Sequence, residues 1–288
     1  MAEYLGLQQQ IKRNTVKSFF ILAAFPLLIL GVFYAVVALG SQDAYGNFDA
    51  YMAQKTFLSG LPAVFIGVGI WFLVAYFSHS FMINLSTGAK SLERKDNLRV
   101  YNLTENLCMS IGMPMPKLQI IESNALNAFA SGINQKTYSV TLTRGIIDAL
   151  TDEELEGVIA HELMHIQNRD VRLLIFSIIF VGIFSFLIQV TFRSLLFGGL
   201  SGGNRRRDGK DNGAALMLVL LVISLVAYFL SLLFKFALSR KREYMADAGA
   251  AQMTRNPLAL ASALKKISGN AEIPSVKSED IQELFIEN

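Results

Sequence analysis

Two histidines lie one helical turn apart in the segment His161-Glu162-Leu163-Met164-His165. Positions i and i+4 share one face of a helix, so both imidazoles could bind a single tetrahedral zinc ion at about 2.0–2.1 Å. The carboxylate of Glu162 could then take a proton from a zinc-bound water, whose pKa the metal lowers to about 7. Because the chain has 3 histidines in all, this spacing favours a metal site over a chance pairing.

A catalytic zinc needs a third protein ligand and an open position for water. Glu243 and Asp247 follow the last apolar run of the chain and stand one turn apart on a predicted helix. Glu243 could bind the metal directly, and Asp247 could accept a hydrogen bond from the second nitrogen of an imidazole ligand. From spacing alone, an alternative stays equally open, in which both carboxylates pair with Arg240, Lys241 and Arg242 on a solvated face.

The elements that must position these residues have local signals. Thr151-Asp-Glu-Glu154 has the form of a capping box and predicts a helix that begins at residue 152 and runs to about Asn168. Strands are predicted at Lys117 to Ile121 and at Tyr138 to Leu142, and a further helix is predicted to begin at Asn256-Pro257 and end near Gly269. A folded core therefore surrounds the histidine pair.

The composition places the rest of the chain in a membrane. Of 288 residues, 52% are hydrophobic and only 17% are charged, which is too apolar for an ordinary soluble domain. The net charge of +3 gives no case for a nucleic-acid partner. The single cysteine, Cys108, excludes an internal disulfide and a cysteine-based zinc site, and it fits a catalytic domain in a reducing compartment.

Four apolar runs predict the membrane segments. The first two, 19–39 and 61–77, are read as transmembrane helices, and the next two, 173–190 and 214–238, as a hydrophobic helical hairpin. Basic residues after the second run mark that side as cytoplasmic: Lys90, Arg94, Lys95 and Arg99. The basic loop at 198–213 opposes this tendency if it is external, so whether the hairpin fully spans the membrane stays open.

These signals predict four regions and an α+β fold. A small, mostly antiparallel sheet with the zinc helix packed on it is attached to a bundle of membrane helices. Acidic residues around the motif, such as Asp152 and Glu153, argue against an intramembrane protease because they would be costly in hydrocarbon. The regions are a membrane region at 1–97, the first catalytic part at 98–172, the hairpin at 173–238 and the second catalytic part, with the third ligand, at 239–288.

Three motifs occur in order: Asn-Ala-Phe-Ala at 127–130, His-Glu-Leu-Met-His-Ile-Gln-Asn-Arg-Asp at 161–170 and Ser-Arg-Lys-Arg-Glu-Tyr-Met-Ala-Asp-Ala at 239–248. Together they resemble the HtpX family of membrane zinc endopeptidases, which is related to the CaaX prenyl proteases. The resemblance implies a zincin-like (gluzincin) catalytic domain. It implies that His161, His165 and Glu243 bind one zinc ion, that Glu162 is the general base and that Asp247 supports a ligand histidine.

The resemblance also implies that Asn127, Ala128, Phe129 and Ala130 form an edge strand to which a substrate chain could add. The implied function is cleavage of misfolded or surplus membrane proteins, in quality control and stress response, from the cytoplasmic side of the inner membrane. A non-proteolytic zinc-binding scaffold is the alternative, although the base at Glu162 speaks against it. Family members commonly continue into a His-Pro-Pro motif that is absent before Asn288, so no residue is assigned to stabilise the oxyanion.

Overall fold

The computed structural model describes residues 7–41, 47–200 and 213–274, together with 276, 282 and 284–286. Over these residues the chain forms eight helices and four strands. The helices are α1 (Leu7–Gly40), α2 (Ala50–Thr87), α3 (Leu98–Ser110), α4 (Arg144–Ala149), α5 (Asp152–Gln167), α6 (Asp170–Leu200), α7 (Gly213–Thr254) and α8 (Pro257–Ile267). The strands are β1 (Lys90–Ser91), β2 (Lys117–Ile121), β3 (Ala128–Ser131) and β4 (Ser139–Thr143).

The chain divides into two compact units. The first unit comprises the described residues within 1–18, 77–176 and 238–288 and contains the whole sheet; we call it the catalytic unit because the predicted site residues lie in it. The apolar unit comprises those within 19–76 and 177–237. Each unit is therefore assembled from segments that are distant in the sequence.

The sheet of the catalytic unit has the strand order β1-β2-β4-β3. Strands β1 and β2 pair antiparallel, as do β3 and β4, whereas β2 and β4 pair in parallel with Lys117 opposite Ser139 and Ile121 opposite Thr143. The expectation of a mostly antiparallel sheet is confirmed, because two of the three pairings are antiparallel; the parallel one makes the sheet mixed, and β3 lies at one edge. Strand β4 begins one residue later than predicted, and all five of its residues are buried because it lies between two other strands.

Helix α5 begins where its capping box predicts. The Thr151 hydroxyl accepts from the Glu154 N–H at 3.3 Å, and the Glu154 carboxylate accepts from the Thr151 N–H at 3.0 Å. The helix packs against α3, α8 and β3, and most of its side chains are buried. A Cβ added at Gly157 would lie 3.2 Å from the Leu260 Cα, so α5 and α8 approach very closely at this position.

The Glu154 carboxylate also joins α5 to α8. It accepts from the Ser262 hydroxyl at 2.7 Å and from the Lys266 ammonium at 2.6 Å. Burial alone would raise the pKa of this carboxyl, but the hydrogen bonds from Lys266, Ser262 and the Thr151 N–H outweigh burial and hold the pKa of Glu154 at about 2. One side chain therefore caps α5 and anchors it to α8.

Within the described residues, three helices are long and apolar enough to cross a membrane: Ala23–Gly40, Ala50–Thr87 and Asp170–Ser194. A shorter apolar stretch covers Leu218–Leu233. In the apolar unit, Phe25, Phe184 and Ala227 bring α1, α6 and α7 into one buried cluster. The predicted run 61–77 lies inside the longer α2, and residues 201–212 of the basic hairpin loop lie outside the described residues.

Candidate metal centre

Helix α5 and helix α7 bring together three side chains that could bind a metal ion. His161 and His165 lie one turn apart on α5, and their Nε2 atoms are 3.0 Å apart. Glu243 lies on α7, and its Oε2 is 3.5 Å from the Nε2 atom of each histidine. The structure thus brings together the two imidazoles and the carboxylate that the sequence predicted as ligands, across about 80 residues of chain.

The separations of these atoms fit a metal ion. Ligand atoms at about 2.0–2.1 Å from a tetrahedral ion lie roughly 3.3 Å from one another, and the observed separations range from 3.0 to 3.5 Å. The Glu243 side chain is 51% exposed, whereas that of His161 is 3% exposed. One side of the donor triangle therefore faces solvent, as a site that admits water requires.

The electrostatics of the cluster favour positive charge. Burial lowers the pKa of His165, but the carboxylates of Asp170 and Glu243 outweigh burial and raise that pKa to about 10. Burial likewise opposes protonation of His161, and Asp247 and Glu243 still raise its pKa. Burial raises the pKa of Glu243, but the two imidazoles hold it well below the usual range. A divalent cation would neutralise the same carboxylates.

Glu162 is one of the largest fully buried side chains, with 2% exposure. Burial raises the pKa of its carboxyl, and this effect exceeds the opposing influence of His161, His165 and a hydrogen bond from the backbone N–H of Ala130. A carboxylate with a raised pKa is a stronger base than one in water. Its place on α5, next to His161, is the one that the sequence motif predicted.

Each imidazole has a carboxylate at its second nitrogen. Asp247 Oδ1 lies 2.9 Å from His161 Nδ1, within ion-pair distance but without the geometry of a hydrogen bond. Asp170 Oδ2 lies 3.3 Å from His165 Nδ1. Carboxylates in this position orient imidazole ligands and make them more basic. Asp247 was predicted for this place, and Asp170 was not.

The sequence did not predict the positions of two residues beside the histidines and Glu243, namely Asp170 and Arg242. Asp170 follows Arg169, whose left-handed backbone (φ 62°) turns the chain between α5 and α6, and that turn directs Asp170 back to the histidines. Arg242 is 5% exposed and donates from Nη1 to the main-chain oxygen of Asp170 at 3.3 Å. The solvated-face alternative is therefore wrong for Arg242, which packs inside beside Glu243. The acidic residue that closes the 161–170 motif was the available signal for Asp170.

The segment predicted as a substrate-binding edge, Asn127 to Ala130, includes the first three residues of the edge strand β3. The Asn127 side chain is buried and donates to the main-chain oxygen of Ala271 at 2.7 Å. Ala128 O accepts from Ile286 N at 2.9 Å, and the Phe129 ring lies 5.3 Å from that of Phe285. Residues near the end of the described chain thus occupy part of the outer edge of β3.

Residues 94–285 match the model of the family described as "Peptidase family M48". The chain belongs to peptidase family M48. A "Protease HtpX homolog" from Bacteroides fragilis is 52% identical over 99% of this chain and 90% of that protein, and one from Listeria monocytogenes is 36% identical over 96% and 89%. The crystal structure of S. mikatae Ste24p is 20% identical and covers 96% of this chain and 63% of that chain, with a TM-score of 0.45.

The resemblance to the HtpX proteases is confirmed by these relatives. Membership of family M48 makes the chain a metallopeptidase, which hydrolyses peptide bonds in proteins with the help of a metal ion. Its long apolar helices, together with the HtpX relatives, make it a multi-pass membrane protein.

Proposed function

We propose that this M48 peptidase is an endopeptidase that binds one zinc ion through His161, His165 and Glu243 and cleaves misfolded or surplus membrane proteins. The observation that carries this proposal is the convergence of two Nε2 atoms and one carboxylate oxygen from separate helices, 3.0 to 3.5 Å apart, beside the buried carboxyl of Glu162. Two histidines and one glutamate are a common ligand set of catalytic zinc sites.

A zinc ion held by these residues would supply a Lewis acid for the scissile carbonyl and would lower the pKa of water. Glu162 accepts the proton that the attacking water loses and then donates it to the nitrogen of the leaving amine. Burial supports this role because it raises the pKa of Glu162, which makes the carboxylate a stronger base for the proton of the attacking water. Asp247 and Asp170 hold the two imidazoles in orientation through their Nδ1 atoms.

Substrate binds in extended form along the outer edge of β3, where main-chain pairing requires little of the substrate's side chains. This mode suits an enzyme that acts on unfolded proteins of varied sequence. Ala130, whose backbone N–H reaches Glu162, supports this placement because it puts the edge strand beside the proposed base. A substrate strand that pairs along the whole of β3 has to replace the contact between Ile286 and Ala128.

The catalytic residues face the cytoplasm in this proposal, in a protein of the inner membrane. Support comes from the exposed basic residues that follow α2, such as Lys90, Arg94 and Lys95, because bases flanking a membrane helix favour the cytoplasmic side. The membrane segments at 1–97 and 173–238 then alternate with the two parts of the catalytic domain, at 98–172 and 239–288. Quality control of membrane proteins under stress fits this arrangement.

The test compares the wild-type chain with Glu162→Gln, and Glu153→Gln serves as a matched control because Glu153 is an exposed carboxylate on the same helix. Zinc content and cleavage of an unfolded membrane-protein substrate are measured in detergent. We expect one zinc per chain in all three proteins, and a loss of about 10³-fold in kcat/KM in Glu162→Gln alone.

Unchanged cleavage by Glu162→Gln would refute the assignment of the base. The ligand set is tested separately with Glu243→Gln, which should bind zinc at least 10-fold more weakly. Undiminished zinc affinity in this variant would remove Glu243 from the site. Zinc binding without cleavage by the wild-type chain would favour the scaffold alternative.

A further inference from the structure

A pocket of about 450 Å³ lies in the catalytic unit, and none of its lining residues belongs to the proposed metal site. We call it the arginine pocket. Three segments line it: the turn at 111–116, the loop that joins β3 to β4, and residues 166–172 at the junction of α5 and α6. The proposed function does not use this pocket.

The arginine pocket is amphipathic. Its buried lining is apolar and includes Pro116, Ile133 and Ile166. Its solvent-exposed lining includes the polar side chains of Gln167 and Arg169. A ligand that fits such a surface carries both an apolar part and a charged or polar part.

The charged side chains that line the pocket are all positive. Arg169 and Arg172 both line it, and none of the lining residues is an aspartate or a glutamate. Neither arginine forms an ion pair within the described part of the chain. A guanidinium presents a planar fork of N–H donors that matches the oxygens of a phosphate group, so two unpaired guanidinium groups favour an anion of this kind.

The position of Arg172 connects the pocket with the bilayer. Arg172 lies in the first turn of α6, and the apolar span Asp170–Ser194 begins two residues before it. Arginines at the end of a membrane helix lie at the level of the lipid headgroups. The guanidinium carbon lies 5.3 Å from the centre of the Phe176 ring, a cation–π contact that restrains the side chain.

We infer that the arginine pocket binds the phosphate group of an anionic membrane phospholipid. The two guanidinium groups contact the phosphate oxygens, and the apolar lining formed by Ile133, Ile166 and Pro116 contacts the glycerol and the upper acyl chain. The apolar lining favours a lipid over free phosphate, because inorganic phosphate has no apolar part that could cover the apolar lining.

The experiment measures binding of phosphatidylglycerol to the full chain in a non-ionic detergent, with phosphatidylcholine and inorganic phosphate as competitors. The variants are Arg169→Gln, Arg172→Gln and the double variant. Arg255→Gln is the matched control, because Arg255 is also an exposed arginine with a left-handed backbone (φ 55°) but lies outside the pocket. We expect affinity to fall about fivefold for each single variant and about 25-fold for the double variant.

Arg255→Gln should bind phosphatidylglycerol as the wild type does, and phosphatidylcholine should compete poorly. The double variant Arg169→Lys/Arg172→Lys keeps both charges but loses the guanidinium forks, so its affinity should lie between those of the wild type and the glutamine double variant, which separates loss of charge from misfolding. Equal affinity of the wild type and the glutamine double variant would overturn the proposal. Arginine-dependent binding of inorganic phosphate without binding of phosphatidylglycerol would overturn it as well, because the ligand would then be a free anion.

Discussion

The attachment of α5 to α8 through Glu154 gives a prediction whose size follows from the structure. Glu154→Gln keeps the shape of the side chain and removes its charge. The fall of the pKa from 4.5 to about 2 corresponds to roughly 3 kcal/mol in favour of the charged, folded form. Lys266 is 43% exposed, so water screens part of this energy, and we expect the variant to lose about 2 kcal/mol.

The assay is amide hydrogen exchange of the full chain in detergent, because exchange reports the local free energy of opening in a protein whose global unfolding need not be two-state. A loss of 2 kcal/mol makes the amides of α8 and of the first turns of α5 exchange about 30-fold faster. Glu153→Gln is the control, because it removes a carboxylate from the same first turn, where negative charge favours any helix.

The effect also has a defined pH dependence. The pKa of Glu154 is depressed in the folded chain, so its stabilisation is complete above the ordinary value of 4.5 and is lost as the pH falls towards 2. The difference in opening free energy between the wild type and Glu154→Gln should therefore shrink over that window, in metal-depleted samples of both. Equal exchange of α8 in Glu154→Gln and Glu153→Gln near pH 7 would refute the reasoning.

Three further perturbations test other parts of the catalytic unit. Asp170→Asn should lower zinc affinity about 10- to 100-fold in competition with a chelator, whereas Asp148→Asn, an exposed control, should not. A chelator should abolish cleavage. Added zinc should restore cleavage by the wild type at one zinc ion per chain, whereas Glu243→Gln should need a much higher zinc concentration. Gly132→Ala should destabilise the catalytic unit by about 3 kcal/mol or more in thermal unfolding, because Gly132 has φ 109° and an added Cβ would lie 2.4 Å from the Thr137 oxygen.

The sequence predicted those features that depend on neighbouring residues. The capping box of Thr151 and Glu154 predicted the first residue of α5, and Asn256 with Pro257 predicted the start of α8; both are confirmed. The strand from Lys117 to Ile121 is confirmed as β2. In each case the signal is a local hydrogen bond or a backbone restriction, which does not depend on the rest of the fold.

Features that depend on distant partners were not predictable in this way. The sequences of β2 and β4 do not by themselves determine which strands pair, in which direction or in which register, so their parallel pairing was not predicted. Asp170 was given no role at the metal site, because its contact with His165 depends on the left-handed turn at Arg169. Helix α7 extends from Gly213 to Thr254 and therefore continues past residue 238, where the predicted apolar run ends. It continues because no helix-breaking residue separates the apolar run from the segment that carries Glu243.

The distribution of the proposed ligands along the chain has a consequence for biosynthesis. A ribosome completes the imidazole pair first and must then synthesise residues 177–237 of the apolar unit before the Glu243 carboxylate exists. An unfinished polypeptide therefore contains only two of the three proposed ligands and should bind the metal ion weakly. Under the proposed ligand set, the metal site is therefore complete only after the apolar segment of residues 177–237 has been synthesised.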